Sequence, residues 1–417
     1  MRPLSEVRAL VLDRCPPPDP VDRAPSAALG LVLAEGVTAP ADLPGFASSA
    51  MDGFAVRASD VAPATSDLPV VLEVVETVMA GRVPERSVGA RQAVRIMTGA
   101  AVPEGADAIV PVEVTRPSGG TRGDDETVAV LEPVAPGQHV RGAADDVTAG
   151  TALAAEGAVL TPALVGVLAS SGIEAVEVVP RPRVGVISTG DELVAPPRDP
   201  APGQVRDSNR PMLLAAAAAT GAEPVDLGWV RDDVDAVAAA LRSAAFQCDL
   251  ILTSGGVSMG EADVVKLVLD RMGDPEWIQV AIRPAKPFAV ASVDGVPLLG
   301  LPGNPVSALV SFEVLARPAI RRLAGHHDLD RPRVVARAAV ALDRQPDGKD
   351  HLVRVEIGRD AGAWTVTPVA AQGSHQLTAT STATGLAVVP DGTGLAAGAE
   401  VEVMVLDVDG LVARLAP

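Results

Sequence analysis

The spacing of apolar residues changes character several times along the chain, and each change predicts a different kind of element. The first 40 residues predict a helix, a break at Pro16–Pro18 and Pro20, and then a second helix. From about residue 44 to 139 the pattern is short Val-rich runs, such as VVLEVVETV and ETVAVLEPV, separated by Gly, Pro and Asp turns with no helical period. That predicts a small all-β domain. Residues 140–178 are mixed, with a helix over Pro162–Ser171 that ends near Gly172, a suitable left-handed cap.

Residues 181–325 alternate between two periods. The runs RVGVIS, EPVDLGWV, DLILTS and VPLLG read as strands. Between and after them, PMLLAAAAATG, DDVDAVAAALRSAA, DVVKLVLDRMG and Val306–Leu323 read as helices. Ser208 or Asn209 suits the start of the first helix, and acidic residues at the start of the second suit the helix dipole. Such alternation predicts a parallel, doubly wound α/β sheet. Beyond residue 326 the chain returns to short strands with turns such as QPDG and PDGTG, which predicts a small β-barrel. The fold class expected is therefore multidomain α/β plus β.

Composition narrows the function. A chain of 417 residues suggests two to four domains. With 48% hydrophobic and 21% charged residues it should fold. Aromatics are 2% and Tyr is absent, so the cores rest on Val, Leu, Ile and Ala, and base-stacking platforms are not expected. The net charge of −19 argues against nucleic acid and anionic membranes as partners. An anionic substrate therefore needs a local basic pocket. Cys15 and Cys248 offer neither a disulfide framework nor zinc spacing, which fits a reducing, cytoplasmic setting. The N-terminus lacks the apolar run of a signal peptide, and no stretch approaches the roughly 18 apolar residues of a membrane span.

Ligands of doubly wound sheets bind outside the carboxyl ends of the strands. Three Gly-containing polar loops fall there: Ser188-Thr189-Gly190-Asp191-Glu192, Thr253-Ser254-Gly255-Gly256-Val257-Ser258, and Leu301-Pro302-Gly303-Asn304-Pro305. Any one of them is also what a tight βα turn requires. Together they favour a phosphate-bearing ligand held by backbone N–H groups and helix N-termini. None is a Walker loop or a GxGxxG fingerprint. Asp191, Glu192, Asp232, Asp233 and Asp263 cluster near the same edge, an arrangement that suits Mg²⁺ beside phosphates, although Asp232, Asp233 and Asp263 also suit helix capping. Arg283-Pro284-Ala285-Lys286-Pro287 sets two cations on a proline-stiffened turn.

Further motifs lie outside the α/β region. They are Ser49-Ala50-Met51-Asp52-Gly53-Phe54-Ala55, Ile96-Met97-Thr98-Gly99-Ala100, and Gly105-Ala106-Asp107-Ala108-Ile109-Val110-Pro111. With the three glycine loops, Asp207-Ser208-Asn209, Arg231-Asp232-Asp233 and Val306-Ser307, the ordered set resembles MoeA and the gephyrin E domain, the molybdopterin molybdenumtransferases. The α/β motifs alone are shared with stand-alone pterin adenylyltransferase domains; the surrounding domains separate the two families.

The resemblance implies a central α/β domain of molybdopterin-binding type at 179–325 and a β insertion at 44–139. It also implies a C-terminal barrel at 326–417 and an elongated N-terminal subdomain built from 1–43 with 140–178. It implies a homodimer acting on adenylylated molybdopterin and molybdate, with Mg²⁺ required and AMP released. The molybdopterin adenylyltransferase is a further candidate partner.

By position, the resemblance assigns molybdate binding to Arg283, Lys286, Ser307, Arg354 and Ser374. It assigns pterin and adenylate binding to Thr189, Gly190, Ser254, Gly255, Gly256, Ser258, Pro302, Gly303 and Asn304. Metal binding falls to Asp191, Glu192 and Asp263, and catalytic or supporting roles to Asp52, Thr98, Asp146, Glu192, Asp232 and Asp263. Read without the resemblance, Arg354 is an ordinary surface cation of a barrel strand. The chain departs from the family pattern at Phe54 (often Tyr), at Ala143-Ala144-Asp145-Asp146 (a Gly-Glu-Asp run), at Arg283 (Lys) and Ala285 (Gly), at Lys349 and His351 (Arg and Glu), and at Thr384 (Asn). The alternatives are adenylyl transfer to molybdopterin and, from another class, a non-enzymatic scaffold.

Overall fold

The computed structural model describes residues 1–118, 127–257, 264–272, 274–360 and 362–408. They form two compact units, one of residues 23–29 with 35–176 and one of residues 1–22, 30–34 and 177–417. No helix of the described residues is long and apolar enough to cross a membrane.

The first of these units is built on a six-stranded sheet. Its order is Ala108–Pro111, Gly53–Val56, Gln92–Ile96, Val70–Val78, Thr127–Val130 and Thr115–Pro117. Strand alternation feeds two cores. Phe54, Val56, Ala108 and Val110 enter one, and Ala55 and Ile109 enter the other. The all-β expectation for this stretch is borne out. The expected helix after it spans Pro162–Ser170, with Thr161 Oγ1 accepting from the Leu164 N–H at 3.2 Å and Gly172 at φ +72°.

The second unit holds the alternating region: β1 (Arg183–Thr189), α1 (Asn209–Ala219), β2 (Glu223–Val230), α2 (Val234–Ala245), β3 (Leu250–Ser254), α3 (Val264–Met272), β4 (Glu276–Gln279), β5 (Ile282–Arg283), β6 (Pro287–Val293), β7 (Val296–Leu301), α4 (Pro305–Ser311) and α5 (Arg317–Leu323). Its sheet runs β2-β1-β3-β7-β6-β4. The first four strands are parallel, as expected. The last two are antiparallel additions that the parallel reading did not contain: β6 turns back on β7 through Asp294–Gly295, and β4 pairs with β6. Leu250 and Leu252 face a core completed by Leu213, Ala217, Val306 and Val310, whereas Ile251 faces one completed by Val237, Leu241, Val265 and Leu269. Helices therefore cover both faces, which is the meaning of doubly wound.

The barrel strands are β8 (Arg333–Ala338), β9 (Asp350–Asp360), β10 (Ala363–Pro368), β11 (Gly385–Val389) and β12 (Glu400–Val405). They run β9-β10-β8-β12-β11, and β11 pairs back to β9, closing the ring. Closure leaves no free edge within those five strands. β5 pairs in parallel with the start of β9, so the segment between β4 and β6 joins the barrel sheet at Arg283 and His351.

An expectation fails near the N-terminus. The N-terminal helix is present as Leu4–Asp13, packing Val7 and Val11 into the α/β core. The second helix expected before residue 40 is absent. Gly30 sits at φ +78°, and Val32–Leu33 pairs with Val178 and Val179 as a short strand. A strand partner more than 140 residues away outweighs the weak local helical preference of the Ala/Leu run.

Candidate active site

β1, β3 and β7 end side by side at Thr189, Ser254 and Leu301. The loops that follow them converge. The Gly255 N–H donates to Leu301 O at 3.1 Å. A Cβ placed on Gly303 would lie 3.7 Å from Gly255 Cα, and one on Gly255 would lie 3.5 Å from Thr189 O. Gly256 has φ +75°, and a Cβ there would fall 2.4 Å from Val265 Cβ on α3, so the loop holds its path only as glycine. Asn209 clamps the third loop from α1 by donating Nδ2–H to Gly303 O at 2.7 Å. Among the described residues, Ser188 Oγ, Thr253 Oγ1 and Asn209 Oδ1 are buried near this edge without a partner. Stranded polar atoms of this kind mark a place that a polar ligand can satisfy.

The acidic residues stand beside the first loop. Asp191 and Glu192 are exposed, and the Asp191 N–H donates to Asp232 Oδ2 at 3.3 Å. Trp229 Nε1–H holds Gly190 O at 2.6 Å. Asp233 caps α2, accepting from the Ala236 N–H at 2.8 Å. The expected Ser208 cap makes no side-chain bond; Asp207 Oδ1 takes the Arg210 N–H instead. Ser258 and Asp263 lie outside the described residues. Among the described residues no three acidic, His or Cys side chains gather closely enough to form a complete protein-built metal site. Mg²⁺ commonly uses one or two carboxylates with phosphate oxygens, so Asp191 and Glu192 still fit it.

Next to these loops lies a cleft of about 820 Å³ between α4, the Arg283–Pro287 turn and the barrel. Arg283, Lys286, Ser307 and Ser374 all line it, which unites four of the five residues expected at the molybdate pocket. Ser307 is only three residues past Asn304, so cleft and glycine loops share one rim of the sheet. The Val306 N–H donates to Ser374 O at 3.0 Å, tying the barrel loop to α4. Among the described residues neither Arg283 nor Lys286 forms an ion pair. Two exposed cations without partners in a strongly acidic chain create a local positive potential. Ala285 between them has φ +82°, a left-handed conformation that costs alanine more than glycine.

Arg354 is neither a surface cation nor part of the cleft lining. Its side chain is fully buried. The guanidinium donates to Thr380 Oγ1 at 2.8 Å, Ala371 O at 3.0 Å and Gly373 O at 3.3 Å. It therefore braces from behind the loop that carries Ser374. No carboxylate among the described residues neutralises it, so its charge adds to the potential of the cleft.

The barrel wall also contains residues that the sequence reading passed over. Arg344, with a side chain only 2% exposed, donates to Lys349 O at 2.7 Å, to Val389 O at 3.0 Å, and to Asp347 and Asp391 at 2.8 Å each. Asp347 takes Lys349 Nζ at 2.6 Å, and this bond, with a further one from His351, holds its carboxyl down at about 2. The only sequence signal was the QPDG turn, which looks like any hairpin loop.

In the other unit, Asp52 Oδ1 accepts both the N–H and the Oγ1–H of Thr98 at 2.7 Å, bonds that hold its carboxyl below the usual range. Asp146 is exposed, with its N–H on Leu43 O at 2.9 Å.

Known proteins resemble the chain over nearly its whole length. Residues 2–172 match the model of the MoeA N-terminal region (domain I and II), residues 185–322 that of the "Probable molybdopterin binding domain", and residues 336–406 that of the MoeA C-terminal region (domain IV). The molybdopterin molybdenumtransferase 2 of Mycobacterium tuberculosis is 42% identical over 410 residues, covering 97% of this chain and 99% of that protein. The molybdopterin molybdenumtransferase of Bacillus subtilis is 35% identical over 378 residues, covering 90% and 87%. The crystal structure of a molybdopterin biosynthesis MoeA protein from Pyrococcus horikoshii superposes with a TM-score of 0.80 at 30% identity, covering 98% of this chain and 99% of that one. The chain belongs to the MoeA family of molybdopterin molybdenumtransferases.

Proposed function

We propose that the protein inserts molybdate into adenylylated molybdopterin, releasing AMP and forming molybdenum cofactor. One observation carries the reading: Arg283, Lys286, Ser307 and Ser374 line a single cleft whose α4 side begins at the Gly303–Asn304 loop. A tetrahedral dianion needs fixed cations and hydroxyl donors, and the cleft supplies both. The phosphates of the pterin adenylate belong on the Gly255–Gly256 and Gly303–Asn304 backbone, where N–H groups approach an anion closely.

Asp191 and Glu192, with Asp263, are the residues that would hold Mg²⁺, and the ion would neutralise charge developing on the phosphoanhydride. The protein's own part is positional. Asn209 and the Gly255 N–H keep two loops in contact, Arg354 and the Val306 N–H fix the Ser374 loop, and the cation pair keeps molybdate beside the anhydride. Asp52, Thr98 and Asp146 are assigned supporting roles in a homodimer. The two buried, free cysteines accord with a cytoplasmic enzyme, and the molybdopterin adenylyltransferase is the natural donor of the substrate.

The test is molybdate-dependent AMP release from purified pterin adenylate. Wild type is expected to release AMP with molybdate and Mg²⁺ present, and Lys286→Ala and Asp263→Ala to lose that release. Full activity in both variants refutes the site. Adenylate accumulating from ATP and molybdopterin, without use of molybdate, makes the protein an adenylyltransferase instead.

A further inference from the structure

One charged group of the cleft can change its state near neutral pH, and that is His351. It pairs in register with Arg283 across β5 and β9 and lines the same cleft. Its side chain is 15% exposed, and its Nε2 lies 3.3 Å from Asp347 Oδ1. The charged groups around it come from three elements. Arg283 and Lys286 flank the proline turn, Asp343, Arg344 and Asp347 come from the loop ahead of β9, and Lys349 and Asp350 immediately precede it in the chain. Asp347 is already held by Lys349 and Arg344, so it offers the imidazole only part of a carboxylate.

We propose that His351 is a proton-accepting residue of the anion cleft, becoming charged when a tetrahedral dianion seats against Arg283 and Lys286. The proposal rests on the reading of the cleft as the molybdate seat. Burial first, and then Arg344 and Arg283, hold the imidazole below the ordinary histidine range, against the opposing pull of Asp347. A dianion cancels the repulsion from Arg283 and adds an attraction of its own, so the same imidazole binds a proton more tightly in the occupied cleft. Reciprocity follows: protonation strengthens anion binding, and affinity falls as pH rises through the window between the free and occupied values.

Calorimetric titration of the full chain with sodium molybdate alone tests this. Titrations run at one pH in two buffers of different ionisation enthalpy give the protons taken up per anion. Wild type is expected to take up a fraction rising toward about one proton inside the window and falling away on either side. His351→Gln is expected to bind molybdate with no uptake and with affinity that no longer changes across the window. Uptake in wild type is also read without any variant, from the imidazole resonances with and without molybdate, where one histidine should titrate at higher pH in the occupied protein. Binding with no uptake at any pH, or uptake undiminished in His351→Gln, overturns the proposal and leaves the molybdate seat standing. Failure of wild type to bind molybdate at all overturns both.

Discussion

The two sides of the cleft are built by opposite means. The sheet-edge side is made of backbone. Gly255, Gly256, Gly303 and the turn at Ala285 bring main-chain groups together, and side chains such as Asn209 only fasten them. The barrel side is made of side chains. Arg344 and Arg354 reach through ordinary strand and loop backbone to fix a wall whose carbonyls they bind, and Asp347 holds Arg344 and Lys349. A backbone-built site fails when atoms are added where the fold leaves no space for them, as at Gly256. A wall of side chains fails when atoms are removed, because buried partners are stranded.

The largest effect is expected where the two sides meet. Lys286→Ala should lower molybdate-dependent AMP release by roughly 10²–10³-fold, the scale of losing one preorganised charge-stabilising donor. Its urea midpoint should stay close to wild type, because the ammonium is exposed. Gly256→Ala should test the crowded side. A methyl overlapping Val265 at a positive φ costs about 3 kcal/mol, read from chemical denaturation. Arg354→Met is the matching test of the other side. Stranding the carbonyls of Ala371 and Gly373 should cost roughly 3 kcal/mol and also weaken molybdate binding through the displaced Ser374 loop. If Arg354→Met were stable and bound molybdate normally, the wall would not depend on its side chains. The smallest change runs the other way. Ala285→Gly should stabilise the protein by about 1 kcal/mol, since relief of the left-handed strain outweighs the added freedom of the unfolded chain.

The same contrast explains what could be read in advance. Glycine and proline carry their conformational reasons with them, so Gly190, Gly255-Gly256 and Pro302-Gly303 were visible as sheet-edge loops, and their convergence followed from the order of parallel strands. The alternation of Leu250, Ile251 and Leu252 between two faces was equally legible. Arg344 and Arg354 were not. An arginine on a barrel strand, as Arg354 is, has the same local pattern whether it points to solvent or inward, and only the closure of β9 onto β11 decides which; Arg344 lies in the loop ahead of β9, where nothing local foretells its partners Asp347 and Asp391. The antiparallel β6 and β4 escaped for a related reason: β6 and β7 are apolar runs on two sides of a two-residue turn, and strand direction is not written in an apolar run. The missing second helix before residue 40 is the reverse error, a local pattern overruled by the distant pairing of Val32–Leu33.

Side-by-side seating of two anions on one sheet rim is tested most directly by crystals grown with AMP and molybdate, with diffraction recorded at the molybdenum absorption edge. The account predicts an anomalous peak inside the cleft, in contact with Lys286 and Ser374, with the adenylate phosphate on the Gly255–Gly256 or Gly303–Asn304 backbone. A molybdenum peak away from Lys286, or a phosphate that avoids both glycine loops, would contradict it.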